Sequence, residues 1–119
     1  MTTIAAISTP IAAGGIGIVR ISGDKAKNIA SKVFKSKSKR TIEDAKGYTA
    51  IYGRVYDKDG DFDEAVALIF TAPKSYTGED VVELSCHGGI YITKRLLEAV
   101  LDAGACLAGP GEFTQRAFM

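Results

Sequence analysis

The sequence predicts one α+β domain, a two-layer sandwich in which a mixed β-sheet carries its helices on one face. Short apolar stretches with strand character outnumber the two stretches with helical spacing, and strands separate the helical stretches along the chain. In addition, the 119 residues are 46% hydrophobic, which is sufficient for one core without a disulfide or a metal.

The first part of the chain is predicted to contain two strands and a helix. Strands are expected at residues 4–8 and 16–22, and the helix that follows is capped by Ser22 or Asp24. The basic, serine-rich residues 35–40 are interpreted as a solvated helix end and loop. The apolar stripe of the helix consists of Ala26, Ile29, Ala30, Val33 and Phe34.

A β-hairpin is predicted in the middle of the chain. Residues 47–56 and 62–70 have strand character, and the Asp-Gly step at residues 59–60 is a strong hairpin signal. The acidic residues of this turn resemble part of a calcium loop. An EF-hand needs further ligands and a closing glutamate at set spacing, and these are missing. Turn chemistry therefore explains the segment.

The last part of the chain is predicted to contain a strand, a helix and a short strand. The strand covers residues 80–86, and the glycines at 88–89 open a helix that Gly104 ends as a C-cap. A short strand is expected at residues 105–108. Residues 109–119 begin as a turn and continue with helical character, without a stop signal.

Charge and cysteine content argue against a nucleic-acid-wrapping, a membrane-coating and a disulfide-stabilised protein. Fifteen basic against fourteen acidic side chains leave a net charge of +1, which gives no electrostatic case for wrapping nucleic acid or coating a membrane. Cys86 and Cys106 are too few for a disulfide framework and are predicted to be buried free thiols. The first residues do not resemble a signal peptide, and no apolar run approaches the ~20 residues of a membrane span, so a cytoplasmic location is expected.

A glycine-rich run at residues 14–20 resembles a phosphate-binding loop at first sight. Such a loop needs a strand, a glycine turn and then a helix whose N-terminal amides face the phosphate. Here the glycines lead into another strand, and Arg20 stands where a third glycine is required. A dinucleotide site is therefore not predicted. The alternative is that these glycines allow a close approach of the backbone to another group.

Arg20 and Glu83 are the candidate binding residues. An arginine within the apolar residues 16–21 cannot be buried unpaired, so it either pairs with a carboxylate or receives an anionic ligand. Strand alternation places Glu83 on one face together with Val81 and Ser85. A carboxylate there accepts two parallel N–H bonds, from an arginine or from the edge of a pterin or guanine ring. The residues alone leave these choices open.

His87 is the only histidine, so a metal cluster or a histidine-dependent catalytic triad would have to include it. The neighbouring Cys86 points to the opposite strand face, which disfavours a Cys–His pair, and no further metal ligands stand at usable spacing. His87 is predicted to be a strand-end residue that hydrogen-bonds the backbone. No set of nucleophile, base and oxyanion donors is recognisable, which favours a binding domain over a self-contained enzyme.

Three motifs in fixed order carry a resemblance to a known family. They are IGIVRISG at residues 16–23, SYTGEDVVELSCHGG at residues 75–89 and GPGEFTQRAF at residues 109–118. Together with the Thr9-Pro10 step and the Gly14-Gly15 loop, they resemble the N-terminal domain of the MnmE (TrmE) family of tRNA-modification GTPases. The resemblance covers essentially the whole chain.

The resemblance implies a domain that binds a one-carbon tetrahydrofolate derivative, either 5-formyl- or 5,10-methylene-tetrahydrofolate, and supports homodimerisation. Its implied fold is similar to the folate-binding part of the glycine-cleavage T-protein family. A helical domain with an inserted GTPase domain is expected to follow in the complete protein, and GTP, magnesium and potassium belong there. With its partner MnmG, that protein is expected to modify the wobble uridine of certain tRNAs, without a membrane partner.

The folate-contacting arginine and glutamate of the family match Arg20 and Glu83. A third family contact, a lysine, comes shortly after Met119, so residues 1–119 are expected to be a truncated N-terminal folate-binding and dimerisation domain without GTPase activity of its own. Met119 stands where the family commonly has leucine, which is a mild apolar exchange. The alternative is a structural dimerisation module in which Arg20 and Glu83 form an ion pair without a ligand role.

Overall fold

A computed structural model of the chain describes residues 1–9 and 15–119. The helices within these residues are α1 (Ala26–Ser31), α2 (Gly89–Asp102) and α3 (Glu112–Ala117). The strands are β1 (Ile4–Ile7), β2 (Gly17–Ser22), β3 (Phe34–Ser36), β4 (Tyr48–Asp57), β5 (Gly60–Phe70), β6 (Val81–Cys86) and β7 (Cys106–Leu107). The predicted Thr9-Pro10 step and Gly14-Gly15 loop lie partly outside the described residues.

The described strands form one sheet in the order β3-β4-β5-β6-β2-β1-β7. All neighbours are antiparallel except β1 and β7, which run parallel, so the sheet is mixed as predicted. The hairpin of β4 and β5 is also confirmed, because Asp57 pairs with Gly60 across the turn. Gly60 has a φ of 114°, a conformation that favours glycine.

Helices α1 and α2 cover one face of the sheet, as the sequence predicts. Gly17 lies directly beneath α2, where a Cβ atom would come within 1.9 Å of Thr93 Oγ1. A glycine at this position therefore lets the helix pack closely against β2. None of the described helices is both long and apolar enough to cross a membrane. The core beneath the two helices includes Val19, Ile21, Ile69, Val82, Leu84 and Leu96.

The opposite face carries the candidate residues. Arg20 and Glu83 face each other on β2 and β6, and Leu68 and Ala50 continue the same row onto β5 and β4. Helix α3 lies on this side, since the ring of Phe113 packs against Arg20. The prediction of helices on one face therefore holds for α1 and α2 but not for α3. The reason is that α3 is anchored by a charged side chain rather than by an apolar stripe.

Residues 34–36 form an edge strand, although a helix end and loop were predicted there. Phe34 pairs with Val55 on β4 and is buried, so pairing with the sheet outweighs the local helical pattern. Gly53 makes room for this strand, because a Cβ atom there would lie 2.2 Å from the carbonyl oxygen of Lys35. The lysines of the segment remain exposed, which is typical of an edge strand protected from further pairing.

Two local predictions are wrong for related reasons. Helix α1 begins after Lys25 without a side-chain cap, whereas Ser22 lies in β2 and hydrogen-bonds Glu79. Cys86 is buried as predicted, but Cys106 is exposed, because β7 is a two-residue strand at the edge of the described sheet, where it pairs with β1. In both cases, the position of the segment in the sheet decides the environment of the side chain.

Candidate functional site

The candidate site is centred on an ion pair between neighbouring strands. Arg20 and Glu83 are directly opposite in the β2–β6 register, and Arg20 Nε donates a hydrogen bond to Glu83 Oε2 over 2.8 Å. The side chains are 30% and 16% exposed, so both are largely, but not completely, removed from water. The two predicted binding residues therefore come together, and the carboxylate that Arg20 requires is supplied by this chain.

The ion pair leaves much of its hydrogen-bonding capacity unused. Arg20 contacts Glu83 through Nε alone, and its two terminal nitrogens donate to no other described residue. Glu83 Oε1 likewise accepts no hydrogen bond from the described part of the chain. A guanidinium has five N–H donors and a carboxylate about four acceptor positions. The pair therefore presents both donors and an acceptor to a small molecule.

A pocket of about 400 Å³ lies beside Arg20. It falls within the range of roughly 300–1,000 Å³ that is typical of small-molecule sites. Aromatic side chains form two of its walls, since the ring centre of Phe113 lies 5.5 Å from Arg20 Cζ and Tyr76 shares the lining. Tyr76 Oη and Thr114 Oγ1 are hydrogen-bonded at 3.0 Å and connect the two walls.

Two larger depressions are less suitable as binding sites. One of about 860 Å³ lies beside the edge strand around Phe34 and Ile42, and its lining is mostly apolar. The other, of about 1130 Å³, runs between α2 and the hairpin turn, where Arg95 and Asp57 already bind each other with two hydrogen bonds. All three pockets are open to solvent. The smaller pocket is the better candidate because Arg20, whose terminal nitrogens have no partner among the described residues, lies there beside two aromatic rings.

A second charged network anchors the wall of the pocket to the sheet. Arg116 of α3 donates to both carboxylate oxygens of Glu79 over 3.1 and 3.2 Å. Glu79 Oε1 also accepts a hydrogen bond of 2.8 Å from Ser22, two positions after Arg20 on β2. Sequence reasoning did not single out these residues or Tyr76 and Phe113. Their motifs were visible in the sequence, but no local pattern shows which of their side chains meet.

His87 lies outside this site. Its side chain is exposed just beyond β6, and its main-chain N–H donates to Asp63 Oδ2 over 2.7 Å. The imidazole makes no hydrogen bond to the described residues, so the predicted bond from this side chain to the backbone is not seen. Burial raises the pKa of the neighbouring Cys86 thiol, which disfavours the thiolate form. Neither residue reaches the pocket at Arg20.

Comparison with known proteins agrees with this architecture. The family model described as "GTP-binding protein TrmE N-terminus" matches residues 3–119. The chain belongs to this family. The match includes β2, β6 and α3, and therefore every described residue of the candidate site. The motif-based prediction of the family is thus confirmed.

Several curated relatives support the same assignment. The chain is 51% identical over 118 residues to a protein of Lachnoclostridium phytofermentans named tRNA modification GTPase MnmE. Proteins of the same name from Caldicellulosiruptor saccharolyticus and Symbiobacterium thermophilum are each 53% identical, over 117 and 118 residues. Each alignment covers 98% of this chain and 26% of the relative. The chain therefore spans about a quarter of the length of these relatives.

Proposed function

We propose that the chain binds a one-carbon tetrahydrofolate derivative, 5-formyl- or 5,10-methylene-tetrahydrofolate, in the pocket beside Arg20. One observation carries this proposal. Arg20 lines an aromatic-walled pocket and is paired with Glu83, while most donors of Arg20 and one carboxylate oxygen of Glu83 remain without a partner in the described residues. A pterin ring combines an N–H edge, a carbonyl oxygen and a flat face, which suits this combination.

Each residue has a distinct role in the proposed complex. Glu83 accepts hydrogen bonds from the N–H edge of the pterin through its unused oxygen, and a carboxylate acceptor strengthens such bonds. Arg20 donates from its terminal nitrogens to a ligand oxygen or carboxylate. The rings of Phe113 and Tyr76 offer apolar surface to the flat part of the ligand. The strands hold both charged groups in place before the ligand arrives, which lowers the entropic cost of binding.

The same proposal assigns the chain a place in a larger protein. As part of a tRNA-modification GTPase acting with MnmG in the cytoplasm, the domain holds the folate that supplies one carbon to the wobble uridine of tRNA. GTP, magnesium and potassium act in a separate GTPase domain of that protein. The mixed sheet carrying folate-binding residues also leads us to propose a structural kinship with the folate-binding part of the glycine-cleavage T-protein.

We further propose that the part of this sheet face formed by β4 and β5 supports homodimerisation. On β4 the tyrosines 48 and 52 are 69% and 49% exposed, and Val66 and Leu68 of β5, on the same face, are partly exposed. A second copy of this face would remove that apolar surface from water. Light scattering tests this. Tyr48→Glu should convert a dimer to a monomer, whereas Tyr91→Glu, at an equally exposed tyrosine on α2, should not.

Equilibrium dialysis with 5-formyltetrahydrofolate tests the folate site. The parent chain should bind, and Arg20→Ala or Glu83→Ala should each weaken binding by about 10- to 100-fold, because each removes charge-assisted hydrogen bonds. Asp57→Ala provides the matched control, since Asp57 is paired and exposed to nearly the same degree as Glu83 but lies away from the pocket. Equal binding by all four chains would refute the assignment.

A purely structural role is the second candidate function. It is favoured by the fact that Arg20 and Glu83 already pair within one chain. In that case, a dimer measured by light scattering would be indifferent to folate, and both substitutions would weaken the fold or the dimer without any binding to lose. Dialysis and light scattering on the same samples separate the two functions.

A further inference from the structure

Helix α3 is attached to the sheet in an unusual way. Among its residues only Arg116 is buried, with 6% of its surface exposed, whereas the apolar Phe118 just after the helix is 84% exposed. A short helix is ordinarily held by an apolar stripe. Here the residue that enters the protein interior is a cation, so the position of α3 depends on the partners of that cation.

The partners of Arg116 link α3 to β2, the strand that carries Arg20. Nη1 donates to both oxygens of Glu79, and Nη2 donates to Glu112 Oε2 over 3.2 Å. Glu112 Oε1 in turn accepts from the main-chain N–H of Gly109 over 2.9 Å, which ties the turn before the helix to the helix itself. On the other side, Glu79 is bonded to Ser22 of β2. One connected network therefore runs from the strand of Arg20 to the start of α3.

The residues that α3 contributes to the pocket depend on this network. Phe113 precedes Arg116 by three positions, so both side chains lie on neighbouring parts of the helix surface. Phe113 stacks against Arg20, and Thr114 meets Tyr76. If Arg116 were released, the exposed hydrogen bond between Tyr76 and Thr114 would be the main remaining side-chain tie of α3 within the described residues, which is weaker support for Phe113 over Arg20. The sheet side of the pocket would remain, but the wall formed by α3 would be lost.

Burial of the Arg116 guanidinium reduces the stability that this contact can contribute to the folded chain. Arg116 Nε is buried without a hydrogen-bond partner among the described residues. Buried ion pairs often contribute little net stability compared with apolar side chains of similar size, because both charges lose their hydration. A structural helix anchor would be served as well by a leucine. What the guanidinium supplies in addition is a fixed direction, since its planar fork binds two carboxylates at once.

We propose that Arg116 is a positioning residue for the folate pocket, which sets ligand affinity through the placement of Phe113 and Thr114 without touching the ligand. This inference rests on the proposed function for its ligand. Glu79 is the partner through which Arg116 acts. Substitution of either residue should open the pocket wall while the core beneath α1 and α2 stays intact.

The test combines ligand affinity with hydrogen exchange. Arg116→Leu and Glu79→Gln should each raise the Kd for 5-formyltetrahydrofolate at least about tenfold, because ordering of the wall must then accompany binding. Amides of residues 109–118 should exchange faster by mass spectrometry, and those of β2 and β6 should not change. Arg116→Lys should restore part of the affinity, since a lysine keeps the charge but not the fork.

The control is Arg95→Leu, which breaks an arginine–carboxylate pair that lies away from the pocket, with the arginine 30% exposed against 4% for Arg116. It should leave affinity and exchange at residues 109–118 unchanged. Parent affinity retained in Arg116→Leu would overturn the inference, as would unchanged exchange of residues 109–118. If the parent chain itself fails to bind 5-formyltetrahydrofolate, the proposed function fails. The exchange data still decide whether Arg116 positions the wall, so the two failures remain distinguishable.

Discussion

Two arginine–carboxylate pairs in this domain have nearly the same exposure but different states of saturation. Arg20 and Glu83 are 30% and 16% exposed, and Arg95 and Asp57 are 30% and 17% exposed. Arg95 donates from Nε and Nη2 to both oxygens of Asp57, over 2.7 and 2.9 Å. Arg20 donates from Nε to a single oxygen of Glu83. Exposure alone therefore does not distinguish a structural pair from a candidate binding site.

The two arginines also differ in how closely they stack on an aromatic ring, and the saturated pair is again the tighter one. Arg95 Cζ lies 4.3 Å from the ring centre of Phe62, whereas Arg20 Cζ lies 5.5 Å from that of Phe113. The first pair is closed on itself and joins α2 to the hairpin. The second is more loosely stacked, its arginine lies beside the aromatic-walled pocket, and it keeps donors and an acceptor without a partner among the described residues. A binding site differs from a structural contact in what it leaves unsatisfied.

The largest effect is expected from exchanging the members of a pair. Arg20→Glu combined with Glu83→Arg keeps opposite charges side by side but presents the wrong group to each part of the ligand. Affinity for 5-formyltetrahydrofolate should fall at least about 100-fold, while the melting temperature should lie above that of Glu83→Arg alone. The same exchange at Arg95 and Asp57 should leave affinity unchanged, as measured by dialysis. Retained affinity after the first exchange would remove the distinction between the pairs.

For thermal stability the order of the two pairs should be reversed: a change at Asp57 should matter more than a change at Glu83. Asp57→Asn removes the charge from a pair with two hydrogen bonds, and the melting temperature should fall on the order of 5 °C. Glu83→Gln should lower the melting temperature less, because Glu83 accepts one hydrogen bond from Arg20 whereas Asp57 accepts two from Arg95. Thermal unfolding followed by circular dichroism measures both. A larger loss for Glu83→Gln would mark its pair as the main structural contact instead.

Acid should weaken the saturated pair in a defined range. The hydrogen bonds from Arg95 lower the pKa of Asp57 from its ordinary 3.8 to about 2. A carboxylate with a lowered pKa in the folded protein stabilises it fully above its unfolded pKa, and this contribution disappears as the pH falls through the folded value. Urea unfolding should therefore show a difference between parent and Asp57→Asn at about pH 5 that shrinks towards pH 2. A difference independent of pH would contradict this.

The smallest effect concerns the aromatic ring beneath each arginine. Phe113→Leu should weaken 5-formyltetrahydrofolate binding by about two- to fivefold, because a cation–π contact at a partly exposed site contributes modestly and apolar contact is retained. Phe62→Leu should not change binding and should lower the melting temperature slightly. An effect of Phe62→Leu on affinity would contradict this, because it would show that ligand binding at the pocket is coupled to the ion pair of Arg95 and Asp57.

Much of the site could be predicted from local patterns. Arg20 stands in an apolar strand and Glu83 in an alternating one. Period-two alternation correctly places Glu83 and its neighbour Leu84 on opposite faces of the sheet. The cost of burying a charge showed that Arg20 needs a partner. The face of Glu83 and the need of Arg20 for a partner could be predicted because each depends on the side chain and its immediate neighbours in the strand.

The predictions that are wrong depend on contacts distant in sequence. Phe34 has helical spacing with Ile29 and Ala30, yet it forms a strand because β4 offers it a partner more than twenty residues later in the chain. Cys106 stands in an apolar stretch but is exposed, because the sheet ends at its strand. Local periodicity does not report which strand is at an edge.

The sequence by itself determined the class of the fold, the strands that carry Arg20 and Glu83 and the family to which the chain belongs, since each of these is written in local patterns and ordered motifs. Only the tertiary structure decided that these two residues, 63 positions apart, share a hydrogen bond, and that Arg116 of α3 binds Glu79. Pairing between distant strands and docking of a helix depend on free energies summed over the whole sheet. No short segment contains that sum.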